Sequence, residues 1–181
     1  MATSGSPVIT IRNAAADAKI TVHKLRRNVS VLEGSSGNIT VLIGHDGKLL
    51  VDAGIRASRP RICDALAGLS DDPVAHLINS HWHFDHTDGN EWLHSVGAEM
   101  TAHENTRKHL SVSTRVEDWN FTFPPAPADG LPTKVITTDE TLHLNRTTLV
   151  LTCYGPFAHR FGYFGRIYGS RQPVSLDLTN S

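Results

Sequence analysis

The chain of 181 residues lacks several features that would mark whole classes of protein. No apolar run approaches the roughly 20 residues that cross a bilayer, which argues against a membrane-spanning helix. Charge of one sign is missing too. Lys and Arg total 17 against 18 Asp and Glu, a net charge of -1, so no strong field draws the chain to nucleic acid or an anionic membrane. Cysteine is scarce: Cys63 and Cys153 cannot build a disulfide framework and suit a reducing compartment. The N-terminal stretch from Met1 to Ser6 carries neither a basic nor an apolar segment, so it does not read as a secretory leader, and a cytoplasmic location is the expectation. There is no internal repeat and no low-complexity tract. With 39% hydrophobic and 19% charged residues, the composition is that of a globular domain with a sizeable core and excludes wholesale disorder. The residue present in unusual number is histidine, at 11.

The first half reads as short strands broken by turns. Val8 to Ile11 and Ile20 to His23 are brief β-type runs. Val29 to Leu32 alternates, Gly34 to Asn38 forms a turn, and Ile39 to Ile43 follows as a strand. His45-Asp46-Gly47 is a hairpin-type turn. Lys48 to Asp52 is apolar enough to be a central strand buried on both faces. The pattern then changes to a helix, with Ser58 as its cap, Pro60 in its first turn and an apolar stripe of Ile62, Ala65, Leu66 and Leu69. Val74 to Asn79 is a second buried strand, and His81 to Asn90 is polar and irregular. A helix over 91–96, a strand over 98–103 and a helix over 104–110 come next. Prolines 124, 125, 127 and 132 make 121–132 an irregular loop. Strands are expected over 134–137, 141–144 and 147–152, with Asn145-Arg146 as a tight turn. Strands, then β-α-β alternation, then strands again imply an α/β (α+β) arrangement of mixed sheets flanked by helices.

One segment carries the chemistry: Ser80-His81-Trp82-His83-Phe84-Asp85-His86, immediately after a buried strand. Alternate residues of an extended segment project the same way, so His81 and His83 can converge on one ion. Asp85 and His86 lie past the strand, where the turning chain can aim them at a second point. Neutral imidazole and carboxylate suit zinc. Grouping four such side chains without a metal would concentrate desolvation and charge repulsion with nothing to offset them. Trp82 and Phe84 alternate with these residues and should face the core. Trp92 and Trp119 read as core residues that could instead line a cleft, Cys153 as a buried thiol, and the remaining histidines as surface or packing residues. His103, near a strand end, is the most notable of those.

The segment resembles the H-x-H-x-D-H signature of the metallo-β-lactamase fold superfamily. The likeness extends to Gly37-Asn38 before a strand, to Leu49-Leu50-Val51-Asp52-Ala53-Gly54, to Gly89-Asn90 after the motif, to Gly97-Ala98 with Ala102-His103-Glu104, and to the hairpin over 139–151. Asp88 stands where a second glycine is common. The resemblance implies an αββα sandwich. It assigns His81 and His83 to a first zinc, and Asp85 and His86 to a second, with Asp85 also orienting the attacking water. Asp52 would hold the metal loop by hydrogen bonds from behind. It further implies a zinc-dependent hydrolase, in which metal-activated water attacks an ester, thioester, lactone or amide bond of a small molecule. An iron-dependent oxidoreductase of the same fold, akin to persulfide dioxygenases, and a non-catalytic metal-binding fragment are the alternatives. The signature is specific for the fold and weak for the substrate, and β-lactam cleavage does not follow from it.

The likeness breaks at Gly155-Pro156-Phe157-Ala158-His159-Arg160-Phe161. The family places a Gly-Pro-x-His-Thr motif there, closely followed by an acid. This chain has one residue too many before His159, which becomes the doubtful fifth metal ligand, and no Thr or acid after it. A permissible codon string for residues 156–164, less one base of the proline codon, reads Pro-Ser-His-Thr-Asp-Ser-Asp-Ile. The expectation is therefore a chain truncated or out of frame past Pro156. A coding sequence in which no one-base shift recovers His-Thr-x-x-Asp overturns it. Three segments follow: an N-terminal extension over 1–18, a partial metallo-β-lactamase-like domain over 19–156 and an atypical tail over 157–181. With the second half of the sandwich incomplete, an uncovered inner sheet face, self-association, weakened metal binding and impaired activity are expected.

Overall fold

The structure, a computed structural model, describes residues 6–34, 36–153, 163–169 and 172–175, the last two segments as backbone only. In chain order the helices are α1 (Pro7–Ala15), α2 (Arg59–Ala67), α3 (Phe84–Thr87), α4 (Asn90–Ser95) and α5 (Glu104–Leu110). The first nine strands are β1 (Thr21–Lys24), β2 (Val29–Glu33), β3 (Ile39–Leu42), β4 (Lys48–Val51), β5 (Val74–Ile78), β6 (Glu99–His103), β7 (Thr114–Val116), β8 (Phe121–Phe123) and β9 (Lys134–Ile136). They are followed by β10 (Glu140–Leu144), β11 (Thr147–Cys153), β12 (Tyr163–Gly169) and β13 (Gln172–Ser175). Seven strands form the main sheet in the order β1-β2-β3-β4-β5-β6-β9, and four form a second, β10-β11-β12-β13. The main sheet is antiparallel from β1 to β4 and parallel from β4 through β5 and β6 to β9.

Period-two alternation explains the layering. Leu32, Val41, Leu50, Leu77 and Met100 point to one face and meet Ile62 and Leu66 of α2 and Trp92 and Leu93 of α4. Their neighbours Leu42, Leu49, Val51 and Ile78 point the other way and meet Leu149 and Leu151 of β11. Strands buried on both faces need this near-continuous apolar sequence, and β3 and β4 are buried throughout, as their composition predicts. The inner face of the main sheet is thus covered by the second sheet, which corrects the expectation of an uncovered face. Two hairpin turns fasten the layers at one end. Asn145, at φ 53°, accepts from the Asp46 backbone N–H at 2.9 Å and donates through its own N–H to Asp46 Oδ2 at 2.6 Å. Its amide also donates to Gly47 O at 2.8 Å.

Three local readings are corrected. Val8 to Ile11 is helical, because Ser6 caps the turn by accepting from the Val8 N–H and Pro7 sits at the first helical positions. Val8 and Ala15 of α1 are buried against Ile55, Phe84 and Phe123, while most of the helix is exposed. Ser58 does not cap α2; its hydroxyl donates to Ala15 O at 2.8 Å and ties α1 down instead. The proline-rich loop keeps a strand at its start, β8, paired with β7. Among the described residues no helix is long and apolar enough to cross a membrane.

Candidate metal centre

Parallel pairing brings the carboxyl ends of β4, β5 and β6 to one edge of the sheet, where open α/β sheets build their sites. Val51 is followed by Asp52, Ile78 by the segment 79–90, and β6 ends on His103. Asp52 takes a left-handed backbone at φ 68° and is 2% exposed. Its N–H donates to Ile78 O at 2.8 Å, which closes the strand pair and turns its carboxylate under the next loop.

That carboxylate organises the loop. Oδ1 accepts from the Ser80 N–H at 2.7 Å, and Oδ2 accepts from Ser80 Oγ at 2.7 Å and from His86 Nδ1 at 2.8 Å. Because the Ser80 hydroxyl proton goes to Asp52, Ser80 Oγ must accept from His81 Nδ1, 3.0 Å away. His81 is then the Nδ1–H tautomer, which leaves the lone pair on its Nε2. On the opposite side of the His86 ring, Nε2 lies 3.4 Å from Asp85 Oδ2, which also accepts from Ser36 Oγ at 3.0 Å. The ring of His81 lies 4.6 Å from that of His83 and 4.1 Å from that of His86, centre to centre. Asn79 and Asn90 exchange reciprocal amide bonds of 2.9 Å beneath the loop.

The electrostatics follow from this arrangement. Burial holds His81 neutral, lowering its pKa to about 4 with help from the neighbouring His86 and against the pull of Asp52. Burial disfavours a charged His86 as well, but the charge and hydrogen bond of Asp52, joined by Asp85, prevail and raise it to about 10. Burial would raise Asp85, yet its bonds to His86 and Ser36 bring it down to about 2. Metal-free protein should therefore be most stable near pH 6.5. The His81 contribution is lost as pH falls from 6.5 toward 4, and that of Asp85 as it falls from 3.8 toward 2. The His86 contribution, full below 6.5, is lost as pH rises toward 10. Urea midpoints in chelator across this range test the profile; a flat curve refutes it, and His86→Gln should remove the alkaline limb.

All four motif side chains expected to bind metal are thus brought together, with Asp52 behind them. Among the described residues, no three His, Cys, Asp or Glu side chains form a group that could hold a metal ion. In kind, the donors fit zinc: one neutral imidazole with a directed lone pair, two further imidazoles and a carboxylate. At the His86–Asp85 contact an imidazole nitrogen faces a carboxylate oxygen at 3.4 Å. His159 lies outside the described residues. Phe84 faces the core as expected, and Trp92 is buried. Trp82 stacks on His109 at 5.0 Å, while Trp119 stands edge-on to His83 at 5.2 Å. His103 Nε2 lies 3.8 Å from Cys153 Sγ, a half-buried thiol. Sequence reasoning gave no role to Ser80 or Ser36. Ser80 directly precedes the first motif histidine, a placement that could have drawn attention; Ser36 gives no local signal.

A family profile described as Metallo-beta-lactamase superfamily matches residues 32–166. Comparison with curated proteins found no significant match. Among solved structures, a metallo-β-lactamase of Cronobacter sakazakii with a HARLDQ motif is similar at 18% identity and a TM-score of 0.75, over 94% of this chain and 67% of that one. The metallo-β-lactamase GOB-18 of Elizabethkingia meningoseptica matches at 15% identity and 0.70, over 89% of this chain and 61% of its own. The class B3 di-zinc metallo-β-lactamase LRA-12 from an Alaskan soil metagenome matches at 15% and 0.68, over 89% and 62%. At such identities the likeness is one of fold, and this chain spans about two thirds or less of the length of those proteins.

Proposed function

The chain belongs to the metallo-β-lactamase superfamily, and from that membership we propose that it is a zinc-dependent hydrolase of small molecules carrying an ester, thioester, lactone or amide bond. The observation that carries the reading is the line Asp52–His86–Asp85, in which one imidazole is gripped at Nδ1 by a buried carboxylate and faces a second carboxylate at Nε2. A carboxylate behind a histidine fixes its tautomer and orientation and raises its basicity, the support that metal-binding imidazoles require. His81 and His83 would hold one ion, and Asp85 and His86 a second. Bound zinc supplies Lewis acidity and lowers the pKa of water toward neutrality.

The protein's own groups do the rest. Ser80, by giving its proton to Asp52, keeps the His81 Nε2 lone pair unprotonated. Asp85, ionised down to well below neutral pH, would accept a hydrogen bond from the attacking water and orient it. The test is elemental analysis of protein purified without chelator, followed by turnover of a chromogenic panel of esters, thioesters, lactones and β-lactams. Two zinc ions per chain and zinc-dependent turnover are expected. Replacing His81 or Asp85 by alanine should weaken zinc binding by more than the factor of about 10–100 that loss of an outer partner costs, and bring turnover to background. Iron with redox turnover would replace the hydrolase by an oxidoreductase, and a chain that holds no metal would overturn both.

A further inference from the structure

The turn between β2 and β3 leans on the metal loop at a point outside the histidine motif. Ser36 Oγ donates to Asp85 Oδ2 at 3.0 Å, across 49 positions of sequence. The same oxygen is the one that lies 3.4 Å from His86 Nε2. Next in the turn, Gly37 sits at φ 64°, and a Cβ there would come within 2.6 Å of the Asp85 carbonyl oxygen and 3.5 Å of His86 Cε1. Only glycine combines that backbone with so close an approach, so the turn rests directly on the Asp85 backbone and His86 ring.

A short carboxylate side chain swings about two torsions, so its head could turn away from the histidine. Asp85 is 15% exposed at its side chain, so little water is at hand to hold it. The Ser36 hydroxyl pins it. An oxygen that accepts one hydrogen bond keeps further lone-pair capacity for a cation.

We propose that Ser36, seated by Gly37, is a positioning residue that turns Asp85 Oδ2 toward His86 Nε2 so that the two donors face one divalent cation. The assignment rests on the metal-centre reading above. It enlarges the machinery of the site from the histidine motif to a turn that precedes it by more than forty residues.

Two measurements test it. Chelator-stripped protein is titrated with Co2+ against a competing chelator, for the parent chain and for Ser36→Ala, Ser36→Thr and Asp85→Asn. Ser36→Ala should bind the weaker Co2+ about 10–100-fold less tightly, and Ser36→Thr, which keeps the hydroxyl, should recover most of the loss. Ser36→Ala binding like the parent while Asp85→Asn loses the ion overturns the role of Ser36 and leaves the metal centre standing. A parent chain that binds no Co2+ overturns the metal centre and this proposal with it. In metal-free protein, three-bond couplings should report one χ1 rotamer for Asp85 and averaging in Ser36→Ala; a single rotamer kept in the variant also overturns the proposal.

Discussion

Asp52→Ala is expected to destabilise the metal-free protein by about 3–5 kcal/mol, the cost of removing one partner from a buried charged pair. Three donors lose their acceptor at once: the Ser80 N–H, the Ser80 hydroxyl and His86 Nδ1. The site is 2% exposed, so water does not replace the carboxylate. Alanine also lacks the short polar side chain whose local hydrogen bonds let Asp and Asn adopt a left-handed backbone such as φ 68°. Asp52→Asn separates the contributions. Asparagine tolerates the left-handed backbone and keeps one acceptor, but cannot satisfy all three donors, so it should fall between parent and alanine. Urea melts in chelator measure both, and an alanine variant no less stable than the parent would show that the network is not the loop's anchor.

Gly89→Ala should cost about 2–3 kcal/mol by overpacking. A Cβ there would lie 2.4 Å from the Ala53 carbonyl oxygen and 2.8 Å from Trp92 Nε1. The first neighbour is backbone and cannot swing aside. The close approach is fixed by the Gly89 N–H donating to Gly54 O at 3.0 Å, which joins the end of the metal loop to the end of β4. Gly89 has φ −84°, an ordinary value, so the requirement is for room. Gly97 is the control: at φ 97°, with no atom within 4 Å of where a methyl would stand, alanine there meets only a backbone cost. Thermal melts that rank Gly97→Ala as the more damaging would refute the steric account.

Much of this was legible from local pattern. Apolar runs identified β3, β4 and β5 as strands, and Leu49, Leu50 and Val51 do point by turns into different apolar layers. The strand-end spacing also foretold that His81, His83, Asp85 and His86 lie close together, because a turning chain gathers neighbours in sequence. The errors arose where tertiary contact chooses the structure. Val8 to Ile11 is β-branched-rich and reads as a strand, yet it is a helix whose Val8 and Ile11 pack with Ile55 and Phe84. Ser58 has the composition of a cap but donates its proton to Ala15 O. Ser36 and Asp85 are brought together over 49 positions by the pairing of β2 with β3 and by a loop resting on a glycine. No short window of sequence contains that contact.

The Asn145–Asp46 fastening has a kinetic side. It joins turns 98 to 99 positions apart, so it closes a ring of chain that includes Asp52 and the histidine motif. Contacts of such long separation form after the chain has lost the entropy of closing the ring, and are absent from an early transition state. Such bonds scarcely hasten folding; their breaking is a barrier on the way out. The little asparagine turn is therefore expected to act as a latch: its loss should speed unfolding more than it slows folding.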